Sequence, residues 1–113
     1  MYLGCFEDKE DVVRDFHVPE DEQDFKVLMA WYDQECYEGS AFVLFDRDGK
    51  LYEVYGSHCS YYGLEDCWNP EETSVEALVH FMDQGYFGYQ DQGERAKQLK
   101  GVLYRWKRKQ KAV

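Results

Sequence analysis

No run in this chain approaches the roughly 20 apolar residues that span a bilayer, so the sequence predicts no transmembrane helix and no membrane partner. The opening stretch, MYLGCFEDKED, lacks the basic start and apolar core of a secretory signal. The expected location is therefore the cytoplasm, of a host cell if the chain acts inside one. No CxxC pair is present, so neither a zinc ribbon nor a thioredoxin motif is written here. A phosphate-binding glycine loop, a GxSxG elbow and an HExxH pair are also missing. Bases are scarce before residue 95: Lys9, Arg14, Lys26, Arg47 and Lys50 stand against 23 acids, a net −18. Such a surface repels a phosphate backbone, which argues against direct nucleic-acid binding by this acidic body.

What is present fits one domain, since two independent domains in 113 residues would be unusually small. Hydrophobic residues make up 44% of the chain, enough for a core and too many for a disordered acidic tail. Residues 95–113 reverse the charge, with eight bases and no acid. The chain thus reads as an acidic body, 1–94, and a basic C-terminal helix, 95–113. Cys5, Cys36, Cys59 and Cys67 are expected to be ordinary free thiols in a reducing compartment.

Along the chain, Val12, Val13 and Phe16 at helical spacing behind clustered acids predict a helix over 8–16, with Pro19 ending it. Residues 20–24, almost all acidic or amide, suit a solvated loop. Phe25, Leu28, Met29, Tyr32 and Cys36 also lie at helical spacing, and a strand rich in aromatic and branched residues competes; the hairpin that follows, which a third strand would complete, decides for a strand over 25–33. SAFVLF and KLYEVYG read as strands joined by the turn Asp46-Arg47-Asp48-Gly49. With 25–33 they make a meander. A second helix follows, with Thr73 as cap, Glu76 three residues on, and Val75, Leu78, Val79 and Met82 as its apolar stripe, closed by Gly85. The last helix runs over 94–109, with Ala96, Leu99, Val102, Leu103 and Trp106 on one face. The predicted class is α+β: a three-stranded antiparallel meander with helices packed on one face.

The segment YEGSAFVLFDRDGKLYEVYGSHCSYYGLEDCWNPEETSVEAL, residues 37–78, resembles a family of small uncharacterised phage and prophage proteins. AFVLF, DGKLYEV, GSHCS, YGLE and W-x-PEET carry the resemblance. The family pattern reads HCSCYGLE and then Gly-Gln-Trp. Here Tyr61 replaces the second cysteine, and Asp66-Cys67 replace Gly-Gln. The resemblance implies a phage origin and carries no activity with it.

Three chemistries can be weighed against bland readings. His58-Cys59 invites a cysteine nucleophile, but neighbours in extended chain point to opposite faces, so the base would have to be His80 or His17. Zinc could be held by Cys59, Cys67, His58 and His80, yet their spacing matches no familiar finger. Asp46-Arg47-Asp48-Gly49 begins like a calcium loop, but a strand resumes at once. The expectation is a non-enzymatic protein with no catalytic residue, no metal site and no cofactor. Twenty aromatic residues, ten of them Tyr, are the stronger signal. Tyr37, Tyr61, Tyr62, Tyr86, Phe87 and Tyr89 fall in polar connections, where Tyr supplies rigid contact area with a polar tip. Eight acids also fall within residues 8–24. A solvated face is the plain reading; a surrogate phosphate array that occupies a basic groove is the sharper one. The candidate partner-binding set is Asp8, Glu10, Asp11, Glu20, Asp21, Glu22 and Asp24, with Tyr61 and Tyr62 as anchors. The partner expected is a nucleic-acid-handling host protein, of defence or transcription, that the chain inhibits or modulates. The alternative is a small structural or metal-supported phage accessory protein.

Overall fold

Asp48 and Gly49 both take positive φ, 56° and 82°. This is the mirror-image hairpin turn whose twist matches that of paired strands, and Asp and Gly tolerate it best. The Gly49 N–H donates to Asp46 Oδ1 at 2.9 Å and closes the turn. In this computed structural model, which describes residues 1–35, 38–58, 64, 67–83 and 94–111, the turn joins β3 (Glu38–Arg47) to β4 (Lys50–His58). Numbering the strands in chain order, β2 (Lys26–Glu35) pairs antiparallel with β3, which completes the expected meander.

Two short strands enlarge it. β1 (Tyr2–Gly4) runs parallel to β2, Tyr2 opposite Ala30 and Gly4 opposite Tyr32, and β5 (Glu71–Thr73) lies at the other edge. The architecture is α+β with a five-stranded mixed sheet in the order β1-β2-β3-β4-β5, which corrects the three-stranded expectation.

The chain divides into two compact units, Met1–Glu72 and Thr73–Val113. In the first, α1 (Lys9–Phe16) packs Val12 and Phe16 into a core with Phe6, Val18, Phe25, Ala30, Tyr32, Val43, Phe45 and Val54. β2 bulges at Leu28, where pairing steps from Val27–Phe45 to Met29–Leu44. One extra residue inverts the alternation, so Val27 packs against the same core as Ala30. The opposite sheet face carries Met29, Trp31, Phe42, Leu44 and Glu53, all buried, and half-exposed Tyr55. Trp31, Phe42 and Tyr55 sit side by side across three strands, with ring centroids 4.6 and 5.1 Å apart. Burial on both faces explains why AFVLF is an unbroken apolar run.

α1 ends as the sequence predicts, at Phe16, through His17 in a left-handed conformation (φ 54°) whose N–H caps the Val13 and Arg14 carbonyls. Residues 20–24 include a 3₁₀ turn, Glu20–Glu22, opened by Pro19. Among its described residues the second unit holds the helices α2 (Val75–Asp83) and α3 (Glu94–Lys111). The cap of α2 is Ser74, not Thr73: its Oγ accepts from the Ala77 N–H at 3.1 Å, while Thr73 belongs to β5. Asp83 lies 3.9 Å from Lys100 and Glu76 lies 3.9 Å from Lys107, so the helices are antiparallel. Leu99, Val102 and Leu103 of the expected α3 stripe are buried, and Ala96 and Trp106 are partly so. No helix among the described residues is long and apolar enough to cross a membrane.

Candidate functional site

The acids of residues 8–24 divide into two groups. Asp8 and Asp11 are occupied at the α1 N-terminus. Asp8 Oδ1 accepts from the Asp11 N–H at 3.0 Å, and Asp11 Oδ2 accepts from the Glu7 N–H at 2.9 Å. Each satisfies a donor that the helix cannot, and both complement the dipole. Arg14 then pairs with Asp11 at 2.9 Å and Asp15 at 3.3 Å, and the bond to Asp15, with both carboxylate charges, raises its pKa.

Glu10, Glu20, Asp21 and Asp24 are exposed and Glu22 is half-exposed. Among the described residues, no ion pair or hydrogen bond engages these five carboxylates. Two neighbouring cations turn to backbone oxygens instead. Lys9 Nζ, between Asp8 and Glu10 in sequence, donates to the Gln23 carbonyl at 2.7 Å and the Phe25 carbonyl at 2.6 Å. From the end of β3, Arg47 donates to the Glu22 carbonyl at 2.8 Å and the Asp24 carbonyl at 3.4 Å. Both lie over the Phe25 ring, Lys9 Nζ at 4.4 Å and Arg47 Cζ at 5.9 Å from its centroid. Arg47 also covers Phe45, at 5.2 Å. Gln23 Nε2 adds a bond to the Val18 carbonyl at 3.1 Å. The acidic turn is thereby fastened to α1 and the sheet through its main chain, and its carboxylates are left to solvent.

Lys9 brings the start of α1 to the residues just after the 3₁₀ turn, so the two acidic segments meet on one part of the first unit. Sequence reasoning missed the roles of Lys9 and Arg47. The available signal was that each is one of only five bases before residue 95.

Tyr61 and Tyr62 lie outside the described residues, as do Cys36, Tyr37, Cys59, Gly85, Tyr86, Phe87 and Tyr89. Of the other reactive groups, the Cys67 thiol donates to the Ser57 carbonyl at 3.7 Å, His17 is exposed at the α1 C-cap and His80 is exposed on α2. Among the described residues, no three His, Cys, Asp or Glu side chains gather as metal ligands. Asp46-Arg47-Asp48-Gly49 is a hairpin turn. No protein-family model, curated protein or solved structure matches the chain.

Proposed function

We propose that the chain is a phage-encoded, non-enzymatic binding protein that inhibits or modulates a nucleic-acid-handling host protein, acting in the cytoplasm. In this reading Glu10, Glu20, Asp21, Glu22 and Asp24 stand in for phosphates, and Asp8 and Asp11 build the platform that holds them. Tyr61 and Tyr62 add apolar anchorage. One observation carries the proposal: four carboxylates of the turn at 20–24, with Glu10 from the start of α1, have no partner among the described residues, while the neighbouring cations Lys9 and Arg47 are committed to carbonyl oxygens. A solubility coat needs only net charge. An array held by four backbone hydrogen bonds to charged donors costs less ordering entropy on binding, which is what a docking surface needs.

The test is differential capture from host lysate at low and physiological salt. One bait is the native chain; the other carries Glu20, Asp21, Glu22 and Asp24 changed to Lys. The expected result is a nucleic-acid-binding protein retained by the native chain, weakened by salt and lost to the variant. Identical captures by both baits would overturn the reading.

A further inference from the structure

The second unit has its own recess, apart from the acidic array. Ion pairs at both ends of α2 mark its register on α3: Glu76 meets Lys107 and Asp83 meets Lys100. This pairing puts Val75 opposite Arg108 and Val79 opposite Tyr104. Between the helices lies a groove of about 370 Å³ with a floor of Val75, Val79 and Leu103 and an outer wall of Tyr104, 74% exposed. That volume falls in the range of small-molecule sites. Its α3 side spans residues 100 to 108, about 12 Å at the helical rise. The groove's floor is thus apolar, and cationic side chains join Tyr104 in lining the rest of it along α3.

Its rim is cationic. Lys100 and Lys107 each have a carboxylate from α2 3.9 Å away. Arg108, exposed at the end beside Val75, is paired with no carboxylate among the described residues. The first turn of α2 opens at that same end and contributes the positive pole of its dipole. An apolar groove with a cationic end matches a molecule that has an aliphatic tail and a negative head.

We propose that this groove binds an anionic amphiphile, an unbranched aliphatic carboxylate whose chain lies along Val75, Val79 and Leu103 and whose head meets Arg108. The guanidinium presents a planar fork that suits a carboxylate, and the two valines and Leu103 offer surface to the chain. Neither element belongs to the acidic array, so this site and the proposed function can fail separately.

The experiment is a titration of the full chain with decanoate below its micelle concentration, followed by amide and methyl NMR shifts. Saturable shifts centred on Val75, Val79, Leu103 and Tyr104 are expected. Arg108→Gln, on the exposed rim, should weaken decanoate by about fivefold, the effect of a solvent-exposed charge pair. It should leave decanol, which has the tail without the charge, unchanged. Val79→Trp should fill the groove and abolish both. If that variant does not give the native spectrum, the Arg108→Gln comparison decides alone. Decanol binding as tightly as decanoate, or no saturable shift at these residues, would overturn the proposal. So would a response to phosphatidylglycerol vesicles but not to monomeric decanoate, which would mark α3 as a membrane-surface helix.

Discussion

Single residues decide how closely the parts of the first unit approach. Gly56 on β4 is one. A Cβ there would lie 2.8 Å from Leu64 Cδ2, 3.0 Å from Phe16 Cε1 and 3.3 Å from Cys67 Cβ. Phe16 is fully buried and Leu64 almost so, which leaves neither room to retreat. Gly56→Ala should therefore cost about 1–3 kcal/mol, an overpacking penalty. Gly101, inside α3 with nothing within 4 Å of such a Cβ, provides the opposite sign. Gly101→Ala should gain about 0.5–1 kcal/mol by removing helix-interior glycine entropy. Urea denaturation of the pair measures both; equal shifts would refute the packing argument. Tyr55 makes a second residue-scale case. Burial, then the charge and hydrogen bond of buried Glu53, then Glu71 raise its pKa above the ordinary 10.0. The folded state thus holds the phenol proton more tightly than the unfolded chain does. Its contribution is intact below pH 10.0 and is lost as pH climbs toward the folded value. Tyr2, raised by burial and then by Asp8, acts in the same direction. Between about pH 9 and about pH 11, stability should fall less in Tyr55→Phe than in the native protein. Parallel losses in the two would contradict the assignment.

At the scale of elements, the acidic turn depends on Lys9. Removing its ammonium frees two carbonyls and a cation–π contact with Phe25. Lys9→Met should cost about 1.5–3 kcal/mol, in the range of hydrogen bonds to charged groups. It should also hasten hydrogen exchange at Glu22, whose N–H bonds to the Pro19 carbonyl at 2.9 Å. Lys26→Met, exposed on β2, is the control and should stay within about 0.5 kcal/mol. Because Lys9→Met makes the surface more negative, it also separates geometry from charge. A positioned array binds its partner more weakly in this variant, whereas a simple charge field binds it faster. Such a fixture is hard to read in a sequence. A lysine among acids suggests ion pairs, and only the fold shows it bonded to carbonyl oxygens. The helices were legible because their apolar residues recur at helical spacing, and the hairpin because two strand-like runs flank the Asp46–Gly49 turn. β1 and β5 were not, since three residues hold no period. The helical spacing of Phe25, Leu28, Met29 and Tyr32 has a cause too: the bulge at Leu28 breaks the alternation of β2 and imitates a helix. Ser74 and Thr73 are chemically equivalent caps, and pairing of Thr73 in β5 decides between them.

Across the whole molecule, charge follows the division into units. Met1–Glu72 holds 19 acids and five bases, a net −14; Thr73–Val113 holds four acids and eight bases, a net +4. The excess negative charge of the first unit raises the rate at which a cationic partner meets it. The carboxylates of Glu20, Asp21, Glu22 and Asp24 belong to this negative unit, and their turn is held by main-chain bonds that do not involve their side chains. Changing all four to Lys should thus preserve the fold, which circular dichroism and an unchanged melting transition would verify. With the captured partner in hand, the variant should associate more slowly, and its rate should lose most of its dependence on salt. The physical reason is range: exposed charges act through a field screened over about 8 Å at physiological ionic strength, which governs encounter more than residence. Replacing Tyr61 and Tyr62 by Ala tests the other half of the interface. Contact anchors act on residence, so that change should raise the dissociation rate and leave association nearly untouched. Measured together by surface plasmon resonance at two salt concentrations, the variants should move different rate constants. A charge-reversed protein that associates as fast as the native one at both salts would reduce the acids to a solubility coat and remove the case for nucleic-acid mimicry.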